Sequence, residues 1–148
     1  MASTYLDLTC HIIFATKYRQ SWLADPWRAR LHSYMGGTIR GLAATPIAIG
    51  GTADHVHLLV GLRGTHAVAN VVRDVKTASS LWIKETASLP PFAWQDGYAA
   101  LSVSSDRKNT IVSYIANQED HHRTWSSKDE LESILNEAGI PFDRKYFE

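Results

Sequence analysis

Residues 54–60 read Asp-His-Val-His-Leu-Leu-Val, which is the alternating pattern of a β-strand with one buried face. Successive side chains of a strand point to opposite faces, so His55, His57 and Leu59 share one face and the apolar residues between them face a core. The two imidazoles then lie roughly 6.5–7 Å apart along the strand. A rigid pair at this spacing can bind one cation through neutral ring nitrogens.

A second segment, Tyr-Ile-Ala-Asn-Gln at residues 114–118, is predicted to be helical. Tyr114 and Gln118 are four residues apart, which places a phenol and an amide on one helical face. A glutamine is costly to bury without a partner, and metal coordination through its oxygen would satisfy it. With His55 and His57, Gln118 gives two nitrogens and one oxygen, a set that suits Mg²⁺ or Mn²⁺ with open positions for water and phosphate.

Structural roles also explain each of these residues taken alone. His55 and His57 could hold a structural zinc or be polar residues on an exposed strand face. A structural zinc site usually has four protein ligands, often cysteines, and the chain has one cysteine. Tyr114 by itself is best explained as a core aromatic. Asp54 could orient a histidine or simply form a turn.

Three further polar features are interpreted as structural. Residues 119–123, Glu-Asp-His-His-Arg, could be a metal tract but are more typical of a solvated helix end. His11 belongs to the first strand, on the face away from its apolar residues, and we expect a structural or substrate-facing role. Ser127 to Glu130 has the spacing of a capping box that opens a C-terminal helix.

The rest of the chain predicts a strand, helix, strand, strand, helix, strand order, followed by two helices. The predicted elements are a strand over 5–15, a helix capped by Asp25, a strand over 46–49, the histidine strand, a helix from Ala67, a strand over 98–104, and helices carrying Tyr114 and Leu131. This order is that of a ferredoxin-like (RRM-like) α+β domain, an antiparallel sheet with helices on one face. C-terminal helices carry the tyrosine.

Length and composition indicate one soluble domain over residues 1–148. We expect a cytoplasmic protein, because the chain has no apolar run long enough for a membrane span and no signal peptide. Cys10 falls on the apolar face of a strand, so a buried thiol is expected and a cysteine nucleophile is not. A serine nucleophile-elbow motif and a Walker-type loop are also missing from the sequence.

The formal net charge is zero, so any DNA binding must come from a local basic patch. Several basic side chains, scattered along the chain, are candidates for contacts with phosphates, although most surface lysines and arginines have no such role. They are Lys17, Arg19, Arg73, Lys76, Arg107 and Lys108.

Four segments in this order resemble the single-tyrosine HUH transposases of small bacterial insertion sequences. They are residues 16–19 (Thr-Lys-Tyr-Arg), 54–60, 94–98 (Trp-Gln-Asp-Gly-Tyr) and 114–122. The resemblance extends from about Tyr5 to Arg123. It departs at residues 52–53, where Thr-Ala stands in place of the Met-Pro common in relatives, and this change alters a turn rather than the site.

The resemblance implies that Tyr114 attacks single-stranded DNA, leaving a 5′-phosphotyrosine and a free 3′-hydroxyl. It implies that His55, His57 and Gln118 hold the metal, and that the DNA partner carries hairpins at the ends of an element. It also implies a homodimer, in which the tyrosine helix of one subunit can serve the histidine pair of the other. Two alternatives stay open: a non-catalytic or domesticated nucleic-acid-binding module of this fold, and a globular protein with a structural metal.

Overall fold

Four strands form a single antiparallel sheet in the computed structural model, which describes residues 3–147. The strands are β1 (Leu8–Ala15), β2 (Thr45–Gly51), β3 (His55–Leu62) and β4 (Ala99–Ser102). The helices are α1 (Asp25–Gly41), α2 (Val68–Glu85), α3 (Lys108–Ala116), α4 (Gln118–His121) and α5 (Ser127–Ala138). The strand order β2-β3-β1-β4 confirms the predicted ferredoxin-like α+β fold.

One face of the sheet forms the main core with α1 and α2, as the alternation of β1 and β3 predicts. The core side chains of these strands are Cys10, Ile12, Phe14, Val56, Leu58 and Val60. The opposite face carries His11 on β1 and His55 and His57 on β3, with His11 directly across from Leu59. The central strands therefore present three imidazoles away from the main core.

Helix α3 crosses the histidine-bearing face beside β2. A Cβ atom at Gly50 would lie 2.4 Å from the carbonyl oxygen of Ile115, so this approach requires a glycine. Gly50 pairs with His57 across the two strands. The close contact therefore fixes the helix that carries Tyr114 directly above the histidines.

The predicted single helix through Tyr114 and Gln118 is wrong. Asn117 has φ −101° and ψ 21°, so α3 ends at Ala116 and the short α4 begins at Gln118. The N–H of Asn117 still donates to the carbonyl oxygens of Ser113 and Tyr114, at 3.2 and 3.3 Å. The break therefore turns the chain while leaving the phenol and the amide close together.

Two predicted caps are displaced by one residue. Ala24 precedes α1 and Asp25 is its first residue, where the carboxylate pairs with Arg28 instead of capping the helix. At α5 the hydroxyl of Ser126, not of Ser127, accepts from the Asp129 N–H at 3.1 Å. Ser126 and Ser127 are equally good caps, so the sequence leaves the start of α5 ambiguous by one residue, whereas the cap position of α1 is an alanine without a side-chain cap.

The C-terminal segment packs against the end of the sheet where β3 begins. Arg19 donates to the carbonyl oxygen of Phe147 and to the hydroxyl of Ser127, both at 2.7 Å. Ser127 in turn donates to Asp54 at 3.0 Å, and Phe147 is buried. These contacts tie α5 to the residue that precedes His55. Over the described residues, no helix combines the length and apolar character that crossing a bilayer demands.

Candidate active site

His55 and His57 lie buried on β3, with exposed fractions of 1% and 0%. Their ring centroids are 5.1 Å apart, and both Nε2 atoms face the same carboxylate oxygen, Glu130 Oε1. The Nε2–Oε1 distances are 3.3 Å for His55 and 2.9 Å for His57. The strand thus presents two nitrogens to one point, as the alternation indicated.

The other ring nitrogen of each histidine is held by a second residue. Asp54 Oδ1 accepts from His55 Nδ1 at 2.8 Å. Of the two roles predicted for Asp54, this contact matches the orientation of a histidine ring. His11 Nε2 lies 2.7 Å from His57 Nδ1, and the two rings stack with centroids 5.0 Å apart. Contacts of this kind fix ring orientation and the tautomer that faces the site.

Tyr114 and Gln118 reach the same cluster from α3 and α4. The Tyr114 hydroxyl donates to Glu130 Oε2, and Gln118 Nε2 donates to that oxygen at 2.9 Å. Gln118 Oε1 lies 2.8 Å from His55 Nε2. Both the oxygen and the nitrogen of the buried Gln118 amide therefore have hydrogen-bond partners. The Glu130 carboxylate lies between the phenol oxygen and the histidine pair.

Glu130 is the site residue that the sequence analysis missed. The capping-box interpretation gave Glu130 a place at the helix start and no role in the site, but its carboxylate contacts the histidine pair and Gln118. Glu130 is 1% exposed. The sequence does contain a signal for Glu130. At helical spacing it falls on the same face of α5 as the apolar residues Leu131, Ile134 and Leu135.

His122 also joins the cluster, so the interpretation of residues 119–123 as a solvated helix end is wrong for this side chain. Its Nε2 lies 3.1 Å from Gln118 Oε1 and 3.2 Å from Glu130 Oε1, and the side chain is 9% exposed. The neighbouring His121 stacks on the Tyr114 ring with centroids 4.7 Å apart. The tail of the tyrosine segment therefore packs around the nucleophile candidate.

The contacts within the cluster shift the pKa values of its histidine, its carboxylate and its phenol. Burial lowers the pKa of His55, but hydrogen bonds to Asp54 and Glu130 outweigh burial and raise the pKa to about 9. Burial would raise the pKa of Glu130, but the surrounding imidazoles hold it well below its ordinary value. Burial and the Glu130 carboxylate raise the pKa of Tyr114. Without a metal the site contains an imidazolium, a carboxylate and a neutral phenol.

The donor set fits a divalent metal. Ligand atoms of His55, His122 and Glu130 lie within 4.8 Å of one another. Adjacent ligands of an octahedral ion with bonds of about 2.1 Å are about 3 Å apart. The pairs His55–Gln118, His57–Glu130 and His55–Glu130 are separated by 2.8, 2.9 and 3.3 Å. Imidazole nitrogen with amide and carboxylate oxygen suits an ion of intermediate to hard character.

The structure does not bring the six predicted DNA-binding residues into one patch. Arg19 holds the C-terminal segment, and Lys108 pairs with Asp7 at 2.8 Å. Both side chains thus have structural partners within the chain. Their predicted role in DNA binding is untested by these contacts, and any such role would have to coexist with them.

The other four basic residues do not line a single groove. Lys76 donates to the carbonyl oxygen of Gln95 at 2.7 Å and lines the same cleft as Arg73. Arg107 lines a groove that includes Tyr114. The Lys17 ammonium lies over the Tyr18 ring, 5.6 Å from its centroid. Of the six, Arg107 is the one that shares a groove with the phenol.

Residues 4–118 match the profile of the family described as "Transposase IS200 like". A crystal structure of a candidate transposase from Deinococcus radiodurans R1 superposes with a TM-score of 0.65 at 27% identity, covering 80% of this chain and 95% of that one. A REP-associated tyrosine transposase bound to a REP hairpin superposes with a TM-score of 0.61 at 17% identity, covering 82% of this chain and 73% of that one. A search of curated proteins gave no significant match.

Proposed function

Because the chain belongs to the IS200-like transposase family, we propose that it cleaves and rejoins single-stranded DNA with Tyr114 as the nucleophile. One observation carries this proposal: the Tyr114 hydroxyl donates to the carboxylate that also contacts His55 and His57. A tyrosine that only fills the core would pack its ring among apolar side chains, and its hydroxyl would not need a buried cluster of histidines and a carboxylate. The neighbouring groups therefore support chemistry at this oxygen.

In the proposed reaction the Tyr114 oxygen forms a bond to the phosphorus of a phosphodiester, and the bond to the 3′-oxygen breaks. The products are a 5′-phosphotyrosine and a free 3′-hydroxyl, and in net balance the phenol proton ends on that hydroxyl. The covalent link conserves the phosphodiester energy, so rejoining requires no ATP. A divalent ion, Mg²⁺ or Mn²⁺, held by His55, His57 and Gln118 would polarise the phosphate.

The proposed DNA partner is a single strand that carries a hairpin. The structurally similar REP-associated transposase is described as bound to a REP hairpin, and this supports a hairpin partner here. Attack by a side chain on the sheet needs an accessible, unpaired phosphodiester. With a formal net charge of zero, affinity should depend on local contacts with phosphates and should fall as salt rises.

We infer that the site is complete within one chain. The resemblance implied that one subunit's tyrosine can serve the histidines of a partner, but Tyr114 lies beside His57 of its own chain, with ring centroids 5.8 Å apart. This contact supports a site built within one chain rather than a shared one. The expected homodimer would then bring two complete sites together rather than build each one from two subunits.

Covalent capture on a denaturing gel tests the proposal. The wild-type protein, a hairpin-bearing single strand and Mn²⁺ should give a protein–DNA adduct that survives boiling in detergent. Tyr114→Phe should abolish the adduct while hairpin binding persists. Tyr98→Phe is the matched control because Tyr98 is 42% exposed and outside the cluster.

Three outcomes would contradict the assignment. An adduct formed by Tyr114→Phe, or one mapped by mass spectrometry to another tyrosine, would move the nucleophile elsewhere. Hairpin binding without any adduct over a library of hairpins and flanking sequences would favour a non-catalytic nucleic-acid-binding module.

A further inference from the structure

Glu130 lies outside the part of the chain that matches the family profile, which ends at residue 118. It is nonetheless 1% exposed. Burying a carboxylate costs several kcal/mol unless charged or hydrogen-bonding partners compensate. The partners that compensate here are groups of the candidate active site, so the position of Glu130 is tied to that site.

The two carboxylate oxygens face different groups. Oε1 lies 2.9 Å from His57 Nε2, 3.2 Å from His122 Nε2 and 3.3 Å from His55 Nε2. Oε2 accepts hydrogen bonds from Gln118 and from the Tyr114 hydroxyl. Glu130 thus bridges the metal-binding nitrogens and the oxygen proposed to attack the DNA.

The three ligands named from the sequence are all neutral. Mg²⁺ and Mn²⁺ in proteins are usually bound through at least one carboxylate, because a hard cation gains most from an anionic oxygen. Glu130 supplies that charge at a distance from His57 that neighbouring ligands of one ion would have. It would also balance part of the ion's charge among side chains that are themselves buried.

We propose that Glu130 is a catalytic residue: it is the anionic ligand of the metal site and orients the Tyr114 hydroxyl beside it. This inference rests on the proposed function for its second half, since the orientation matters only if Tyr114 attacks. The ligand role stands on the donor atoms alone. Helix α5 then belongs to the active site, and the family-matching segment by itself lacks one ligand.

Direct Mn²⁺ titration, read by the electron paramagnetic resonance of the free ion, tests the ligand role without any DNA. Glu130→Gln should lower the affinity for Mn²⁺ at least about tenfold, and the adduct should form more slowly by a similar factor. Glu132→Gln is the matched control, because Glu132 lies on the same helix and pairs with Arg144 at the surface. Its Mn²⁺ affinity should equal that of the wild type.

Glu130→Asp keeps the charge and guards against a folding defect in the amide variant. It should bind Mn²⁺ with an affinity between those of the wild type and Glu130→Gln, and added Mn²⁺ should raise its melting temperature. Unchanged Mn²⁺ affinity in Glu130→Gln would overturn the proposal. Faster adduct formation by Glu130→Ala would also overturn it, because the carboxylate would then be blocking the site. Failure of the wild type to form an adduct, with Mn²⁺ binding still lost in Glu130→Gln, would reject the nucleophile and not the ligand.

Discussion

At the scale of single residues, His11 decides which nitrogen His57 can offer to a metal. Coordination through Nε2 requires the ring proton on Nδ1, where it must be donated to an acceptor. His11 Nε2 is 2.7 Å from that nitrogen. Burial lowers the pKa of His11 to about 3. His11 therefore stays neutral near pH 7 and can act as the acceptor.

Replacing His11 tests this positioning role. His11→Phe keeps a ring of similar size and removes the acceptor, so Mn²⁺ affinity should fall by about 10- to 100-fold. His11→Gln restores a side-chain oxygen and should recover part of the loss. Both affinities can be measured by calorimetric titration. Equal Mn²⁺ affinity in the wild type and His11→Phe would show that His57 needs no acceptor at Nδ1.

His32 on α1 gives a pH dependence that is separate from the site. Burial, followed by the nearby Arg28 cation, lowers its pKa to about 4, against about 6.5 for an unfolded chain. The unfolded state binds the additional proton between these values, so stability should be lost as pH falls from about 6.5 to about 4. No contribution from His32 is expected above pH 7.

Urea unfolding at pH 7.5 and pH 5 measures this effect. The wild type should lose on the order of 1–2 kcal/mol more than His32→Gln between the two pH values. The comparison isolates His32, because the other histidines titrate in both proteins. Parallel stability curves for the two proteins would show that His32 titrates normally in the folded state.

At the scale of elements, side-chain alternation predicts the strands well and polar caps predict the helix starts less well. The alternation of β3 places His55 and His57 on one face because that face is decided by sequence parity alone. The start of α5 depends on a choice between Ser126 and Ser127, which differ little in capping energy. Neither choice predicts what Glu130 contacts, because the groups that meet its carboxylate lie on β3, α3 and α4. Local propensity therefore could not identify it as a site residue.

The contact between β2 and α3 sets the position of the nucleophile candidate. Gly50→Ala would place a methyl group 2.4 Å from the Ile115 carbonyl oxygen, so α3 must move away. We expect a loss of about 1–3 kcal/mol in stability. Adduct formation should fall by about a hundredfold, because small displacements of a reacting group are costly.

Gly37→Ala is the control for that substitution. Gly37 lies within α1, and a Cβ atom there would have nothing within 4 Å. The change should stabilise the protein by about 0.5–1 kcal/mol without altering adduct formation. Thermal unfolding and the gel assay read both effects. Normal adduct formation by Gly50→Ala would mean that the reactivity of Tyr114 does not depend on the close contact between α3 and β2.

At the scale of the whole molecule, the fold follows from the order of its elements, whereas the site depends on how distant segments meet. The split β-α-β order predicts the sheet because antiparallel neighbours and right-handed crossovers leave few topologies. His11, His57, Tyr114 and Glu130 come from four separate segments. Their contacts depend on packing across the sheet face, which the periodicity of any one segment does not encode.

Mixing of inactive subunits tests whether each chain builds its own site. Tyr114→Phe lacks the nucleophile and His57→Ala lacks a ligand, so a within-chain site leaves every subunit of a co-refolded mixture defective. We expect no adduct above the level of either variant alone. As a control, wild-type protein co-refolded with the double variant should keep activity in proportion to its own fraction. Recovery of adduct in the first mixture would require the tyrosine segment to reach a partner's histidines, and the contact between Tyr114 and Glu130 of one chain would then have to open whenever two subunits associate.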